Sequence, residues 1–485
     1  MDTSNLESLV LDSQLGSRLR SRSVPITRRE SGEGPNMASQ FVSERFRCPA
    51  GFLDFRVNGS LSPDSGYFKF GPQTICYGRT TSGNRALRAD HALQDLFEHA
   101  AVAPPTPCLP MDPNEVIENL LWEHYPQSRL TGYERVLKRI YYWLRPATNE
   151  SVRRRIQRFH ARNWENRSHP RWPVDTSVES ICESLLLLAM ECQGHDRIPF
   201  VWFWPDGAQS CVAMTHDVET EAGRDWCEQL MDLDEAYGMK ASFQIVPECR
   251  YTVSDRFLEG IRSRGFEIGI QDLNHDGRLF DNREEFLRRA ELINRYGRRF
   301  GAKGFRAAVL YRNPEWLDSL EFSFDMSFPN VAPLDPQRGG CCTVLPYFIG
   351  SILELPVTTT QDYTLFYLMD EYSINLWQKQ ISLIREKNGL VSFIVHPDYL
   401  LAQRASRAYE DLLVYLQQLR GTYNLWFALP SEIDRWWRIR NRLSVVRCGN
   451  SYQIEGEGSD RAVLAFATNR DGRLVYELDR APGMQ

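Results

Sequence analysis

Two rhythms of apolar and polar residues divide the chain. From Ser210 to about Arg440, short apolar runs alternate with stretches whose apolar residues recur at helical spacing. The runs Cys211-Val212-Ala213-Met214, Ala241 to Val246, Glu267 to Gln271, Gly304-Phe305, Leu390 to Val395 and Asn424 to Leu429 read as buried strands. Between them, Glu284 to Phe300 carries Phe286, Ala290 and Ile293 on one helical face, and Pro430-Ser431-Glu432 opens a last helix. Strands that alternate with helices imply parallel pairing through crossover connections, hence an α/β domain.

The flanks have other textures. Residues 1–45 are rich in Ser, Arg, Gly and Glu and read as a disordered arm. Residues 46–110 hold aromatic segments broken by Gly, Asn and Ser, a small β-rich region. Residues 111–204 read as a helical extension. Asp112 caps its start, Pro113 takes the first turn and Glu115 follows at the third position. Arg153, Arg154, Arg155 and Arg158 form a basic face there, read as solvated or as a clamp for an acidic partner. Phe200, Trp202, Phe203 and Trp204 read as core packing or as a stacking wall for a sugar ring. Residues 443–485 form short strands with Gly-containing turns, a β appendage.

Composition narrows the options. The 485 residues are 42% hydrophobic and 25% charged, ample for a large core. A net charge of −6 with interspersed signs does not suggest a nucleic-acid partner. No apolar run approaches the roughly 18–20 residues of a membrane span, and Met1 to Asn5 lack the pattern of an export signal. Eleven scattered cysteines fit reduced thiols and a cytoplasmic location. Cys341-Cys342, after Gly339-Gly340, read as a packed loop or as a reactive thiol near a site. Oligomeric state is not encoded legibly.

The chemistry clusters where strands end. Thr215-His216-Asp217-Val218-Glu219 follows the first core strand, and the alternation lets Asp217 and Glu219 point the same way. Two close carboxylates need a cation or a shared proton. His216 then faces the opposite side, as a core histidine. Later strands end near His275, Arg306 and His396. In α/β folds the carboxyl ends of strands carry the active site.

The order of these motifs resembles the polysaccharide deacetylase family, the NodB-homology group of carbohydrate esterases. The resemblance covers about residues 205–442: Met214 to Glu219, Glu267 to His275, Gly304-Phe305-Arg306-Ala307-Ala308, Phe324 to Pro329, Leu353 to Pro356 and Val395-His396-Pro397. It implies a distorted (β/α)7 barrel, here with the N-terminal extension and the C-terminal appendage. It also implies removal of N- or O-acetyl groups from a carbohydrate by a water activated at one divalent metal. Carried over, Asp217 is the general base, Arg306 its bidentate partner and His396 the general acid, with Asp362 a candidate to orient His396. Glu219, Gln271 and His275 are the metal positions.

Gln271 departs from the family's pattern, which has a histidine there. A carboxamide oxygen is a poor zinc ligand beside imidazole. The metal is therefore zinc by the resemblance, with Mn2+, Co2+ or Fe2+ as alternatives, or absent. His216, Asp272 and Asp276 are possible substitute ligands. Two further readings stay open: an amide or imide hydrolase acting on a small molecule, and a metal-free carbohydrate-binding or regulatory barrel.

Overall fold

A computed structural model describes residues 37–38, 40–83, 86–102, 104–126 and 168–479. Its centre is a curled sheet with seven parallel strands: β1 (Ser210–Val218), β2 (Ala241–Ile245), β3 (Glu267–Gln271), β4 (Gly304–Arg306), β5 (Phe324–Asp325), β6 (Ile352–Glu354) and β7 (Leu390–Val395). They lie in the order β6-β5-β4-β3-β2-β1-β7, every pair parallel. Tyr347–Ile349 adds an antiparallel strand beside β6, and Leu425–Phe427 pairs with the first residues of β1.

The two ends of the sheet meet through the segment after β6 rather than through a regular ladder. Thr359 N donates to Ser392 O at 3.2 Å, Thr358 Oγ1 donates to Leu390 O at 2.6 Å, and Ser392 N donates to Thr358 Oγ1 at 2.9 Å. The result is a distorted seven-stranded barrel. Its strands read as continuous apolar runs because both faces are covered. β1 is buried at all nine positions.

Helices α1 (Glu221–Ala236), α2 (Asp255–Ser263), α3 (Arg283–Phe300), α4 (Asn375–Glu386), α5 (Gln403–Thr422) and α6 (Pro430–Arg442) cover the strands. Their starts are chemically marked. Thr220, Ser254 and Asn282 each accept a hydrogen bond from a backbone N–H of the first turn of α1, α2 and α3. Inside the barrel, Gly269 makes room for a neighbour: a Cβ there would lie 2.0 Å from Gln244 Oε1.

The flanks differ from the sequence expectations in three places. Gln40–Phe46 is a helix with Val42 and Phe46 buried, so residues 40–45 of the expected arm are helical. Apolar residues four apart suffice for one docked helical face. Arg197–Val201, expected within the helical extension, is a strand, because Pro199 and the β-branched Ile198 and Val201 disfavour helix. That strand pairs antiparallel with Leu464–Arg470 of the C-terminal segment, which also pairs with Arg473–Leu478. The extension and the appendage therefore share a sheet. The hairpin Gly66–Lys69 with Ile75–Gly78, and the helix Pro113–Leu121 capped by Asp112, form as expected. Arg153, Arg154, Arg155 and Arg158 lie outside the described residues. No described helix is long and apolar enough to cross a membrane.

Candidate active site

Alternation along the end of β1 sets the site. Thr215, Asp217 and Glu219 face the barrel interior together. Arg306, the last residue of β4, reaches across to them: its Nη1 donates to Asp217 Oδ1 at 2.5 Å and to Thr215 Oγ1 at 2.8 Å. Its Nε donates to Met326 O at 3.0 Å. The two-pronged grip expected of an arginine on a carboxylate is not formed: only Nη1 reaches Asp217, Nε turns to Met326 O, and Nη2 is buried without an acceptor. Asp217 Oδ2 instead accepts from Gln271 Nε2 at 3.1 Å.

Glu219 is the hub. Its Oε1 lies 2.7 Å from His275 Nε2, 3.0 Å from Gln271 Nε2 and 3.5 Å from His396 Nε2. Burial opposes its ionisation, yet His275 and then His396 outweigh that and hold its pKa well below the carboxylate range. Burial likewise opposes charge on His275, but Glu219 prevails and raises the imidazole pKa. Close as it is to Glu219, His275 does not aim an N–H at that oxygen, and both its ring nitrogens lack a hydrogen-bond partner. Glu219 keeps 15% of its side chain exposed, against 4% for Asp217 and 5% for His396, so the site meets solvent at Glu219.

His396 directly follows β7 and is clamped by Asp362. The imidazole Nδ1 is 2.6 Å from Asp362 Oδ1, and the backbone N–H of His396 donates to Asp362 Oδ2 at 2.7 Å. This bond orients the ring so that Nε2 faces Glu219. Burial disfavours the imidazolium, but Asp362, followed by Glu219, raises the pKa well above the usual histidine value. The Tyr399 ring packs against the imidazole, centroids 4.9 Å apart.

All seven site residues read from the sequence thus meet in one place. The other candidates do not. His216 faces outward, with Nε2 2.9 Å from Asp234 Oδ2, and is a core histidine. Asp276 is paired with Arg289 at 2.7 and 2.9 Å, and Asp272 accepts from Leu273 N at 2.6 Å. None of these three belongs to the converging ligand group. Cys341 and Cys342 are buried free thiols within the hydrophobic core, and burial pushes their pKa values well above the ordinary range. Phe200, Trp202, Phe203 and Trp204 are at most 4% exposed and form core, not a sugar wall.

Two contributors escaped the sequence. Arg250 Nε donates to Glu219 O at 2.8 Å, and Tyr251 Oη donates to Val218 O at 2.7 Å while accepting from Val246 N at 3.1 Å. Both come from the loop after β2, where no motif marks them.

The donor set suits a divalent cation. Asp217, Glu219 and His396 each offer one ligand atom within 4.8 Å of the others. His275 Nε2, expected as a ligand, stands beside Glu219 but outside that group of three, and Gln271 Oε1 is buried without a donor. Gln271 is two-sided: its NH2 satisfies both carboxylates, and its oxygen is a ligand of the kind that suits harder metals.

No protein-family model matches the chain, and no curated protein matches it. Solved structures similar to it include a provisionally assigned polysaccharide deacetylase from Mycobacterium smegmatis, 18% identical, with a TM-score of 0.40 over 52% of this chain and 98% of the other. A probable polysaccharide deacetylase from Pseudomonas aeruginosa is 14% identical, with a TM-score of 0.39 over 48% and 93%. The allantoinase Puue is 13% identical, with a TM-score of 0.38 over 48% and 92%.

Proposed function

We propose that the chain is a metal-dependent hydrolase that removes an N- or O-acetyl group from a carbohydrate. The observation that carries this reading is the pair of separately supported groups about Glu219: Asp217 held by Arg306, and His396 held by Asp362. Glu219 and His275, with the Gln271 oxygen, would hold the cation. When bound, a divalent metal supplies Lewis acidity toward the acyl carbonyl and toward water. Asp217 takes the proton of the attacking water. Oδ1 is engaged by Arg306 and Oδ2 by Gln271, so the proton goes to the remaining lone pair of Oδ2, whose neutral amide partner binds more weakly than the guanidinium does. His396 gives its Nε2 proton to the departing nitrogen or oxygen of the sugar, which otherwise leaves as a poor anion. Asp362 accepts the hydrogen bond from the Nδ1–H of His396, which stays on the ring, and stabilises the imidazolium before transfer.

A second reading, a metal-free binding barrel, is favoured by one observation: Gln271 Nε2 donates to both carboxylates and bridges them without a cation. Metal content of the purified chain separates the two, with Glu219→Ala and His275→Ala as controls. The hydrolase reading expects about one divalent ion per chain, lost in both variants, and acetate release from acetylated sugars. No bound ion, and no acetate with added Zn2+, Mn2+, Co2+ or Fe2+, would sink it. Release from a small amide or imide, but from no sugar, would retain the chemistry and change the substrate.

A further inference from the structure

Behind Arg306 lies a second pair of acids that the mechanism does not use. Asp325 ends β5 and Glu354 ends β6, paired residue to residue across the two strands. They are 1% and 0% exposed. Each carboxyl group is half satisfied: Ser327 Oγ donates to Asp325 Oδ1 at 2.7 Å, and Phe328 N donates to Glu354 Oε1 at 3.1 Å. The remaining oxygens, Asp325 Oδ2 and Glu354 Oε2, have no donor. Among the described residues neither acid has an ion-pair partner. Two adjacent buried anions without a counter-ion in contact are far costlier than a pair that keeps one proton.

From this geometry we infer that Asp325 and Glu354 share one proton at neutral pH and through it position Arg306. The positioning half rests on the hydrolase reading; the shared proton does not. Burial, then Asp325, drives Glu354 well above the carboxylate range, and burial raises Asp325 as well. Arg306 is the cation whose field reaches both acids. Cys341 and Tyr347 flank Glu354, and burial raises both, so neither adds charge at neutral pH. A protonated Glu354 donates to Asp325. Asp325 then accepts from the Ser327 hydroxyl, which must accept from Ala307 N, the residue after Arg306, at 2.8 Å. Met326, between Asp325 and Ser327, supplies the carbonyl that holds Arg306 Nε. A doubly ionised pair would lose the link from Glu354 to Asp325, and its added charge would draw the guanidinium away from Asp217.

The test counts a proton. Between the unfolded carboxyl value near 4.3 and the folded value, the native state binds one more proton than the unfolded chain. The unfolding constant of the wild type should therefore rise, relative to that of Glu354→Gln, by about tenfold per pH unit from about pH 5 to neutrality. Glu354→Gln keeps an N–H donor toward Asp325 and should fold. A ratio constant over that range means that Glu354 is ionised in the fold, which overturns the proposal. If the wild type releases acetate, Glu354→Gln should retain kcat within about twofold and Glu354→Ala should lose about 10²-fold at similar KM. Equal losses in both variants, with circular dichroism unchanged, would overturn the positioning role. A wild type without activity removes the hydrolase reading while the proton count still decides the pair.

Discussion

At the scale of single residues, Gln271 and Asp362 carry the most information. Gln271→His should raise zinc affinity by at least about tenfold, because imidazole suits zinc better than a carboxamide does. Competition with a chelator reads this directly, and an unchanged affinity would place the metal elsewhere. Asp362→Asn should lower acetate release by about 10²–10⁴-fold and move the alkaline limb of the pH profile to lower pH. The sign follows from His396, whose folded pKa stands well above its usual value. Its stabilisation is complete below about pH 6.5 and is lost as the pH rises through the folded value. Thermal unfolding of Asp362→Asn should accordingly show a smaller loss of stability on the alkaline side than the parent. Asp217, Glu219, His275, Arg306 and His396 were legible because strand-end placement and order mark them. Asp362 was less so, since a loop delivers it. Arg250, Tyr251 and the partnership of Asp325 with Glu354 left no periodic trace, because their neighbours come from other strands.

Among the elements, β1 to β3 dictate how tightly the barrel interior is filled. Gly269 on β3 lies against Gln244 on β2. Gly269→Ala should destabilise the fold by about 1–3 kcal/mol through overpacking. Gln244→Ala in the same chain should recover most of that loss, a coupling that chemical unfolding of the four-member cycle measures. Additive effects would mean that the two side chains do not meet. The strands and helices of residues 210–442 were readable because each obeys a single period and carries its own cap or breaker. The strand Arg197–Val201 was not, since its partner lies far away in sequence and local pattern cannot announce it.

Across the whole molecule, the segment after Arg442 behaves as part of the body rather than as an attachment. Arg440 is buried, and its guanidinium donates to the carbonyls of Val201 at 2.7 Å, Trp202 at 2.9 Å, Arg45 at 2.5 Å and Glu44 at 3.2 Å. Removal of residues 443–485 strips Leu464–Arg470 from the strand beside Phe200, so the truncated chain should lose its cooperative unfolding transition, as near-ultraviolet circular dichroism would record. A truncated chain that melts with the parent's midpoint would show instead that this sheet contributes little. The same arrangement governs the order of events during synthesis. Glu44 and Arg440 are 396 residues apart, so the early segments emerge from the ribosome long before their partners exist. Until the last strands arrive, the edge of Arg197–Val201 is open to wrong pairing, with another copy or with a chaperone. Completion of this sheet therefore waits on residues 464–468, although the chemistry the fold frames lies far upstream.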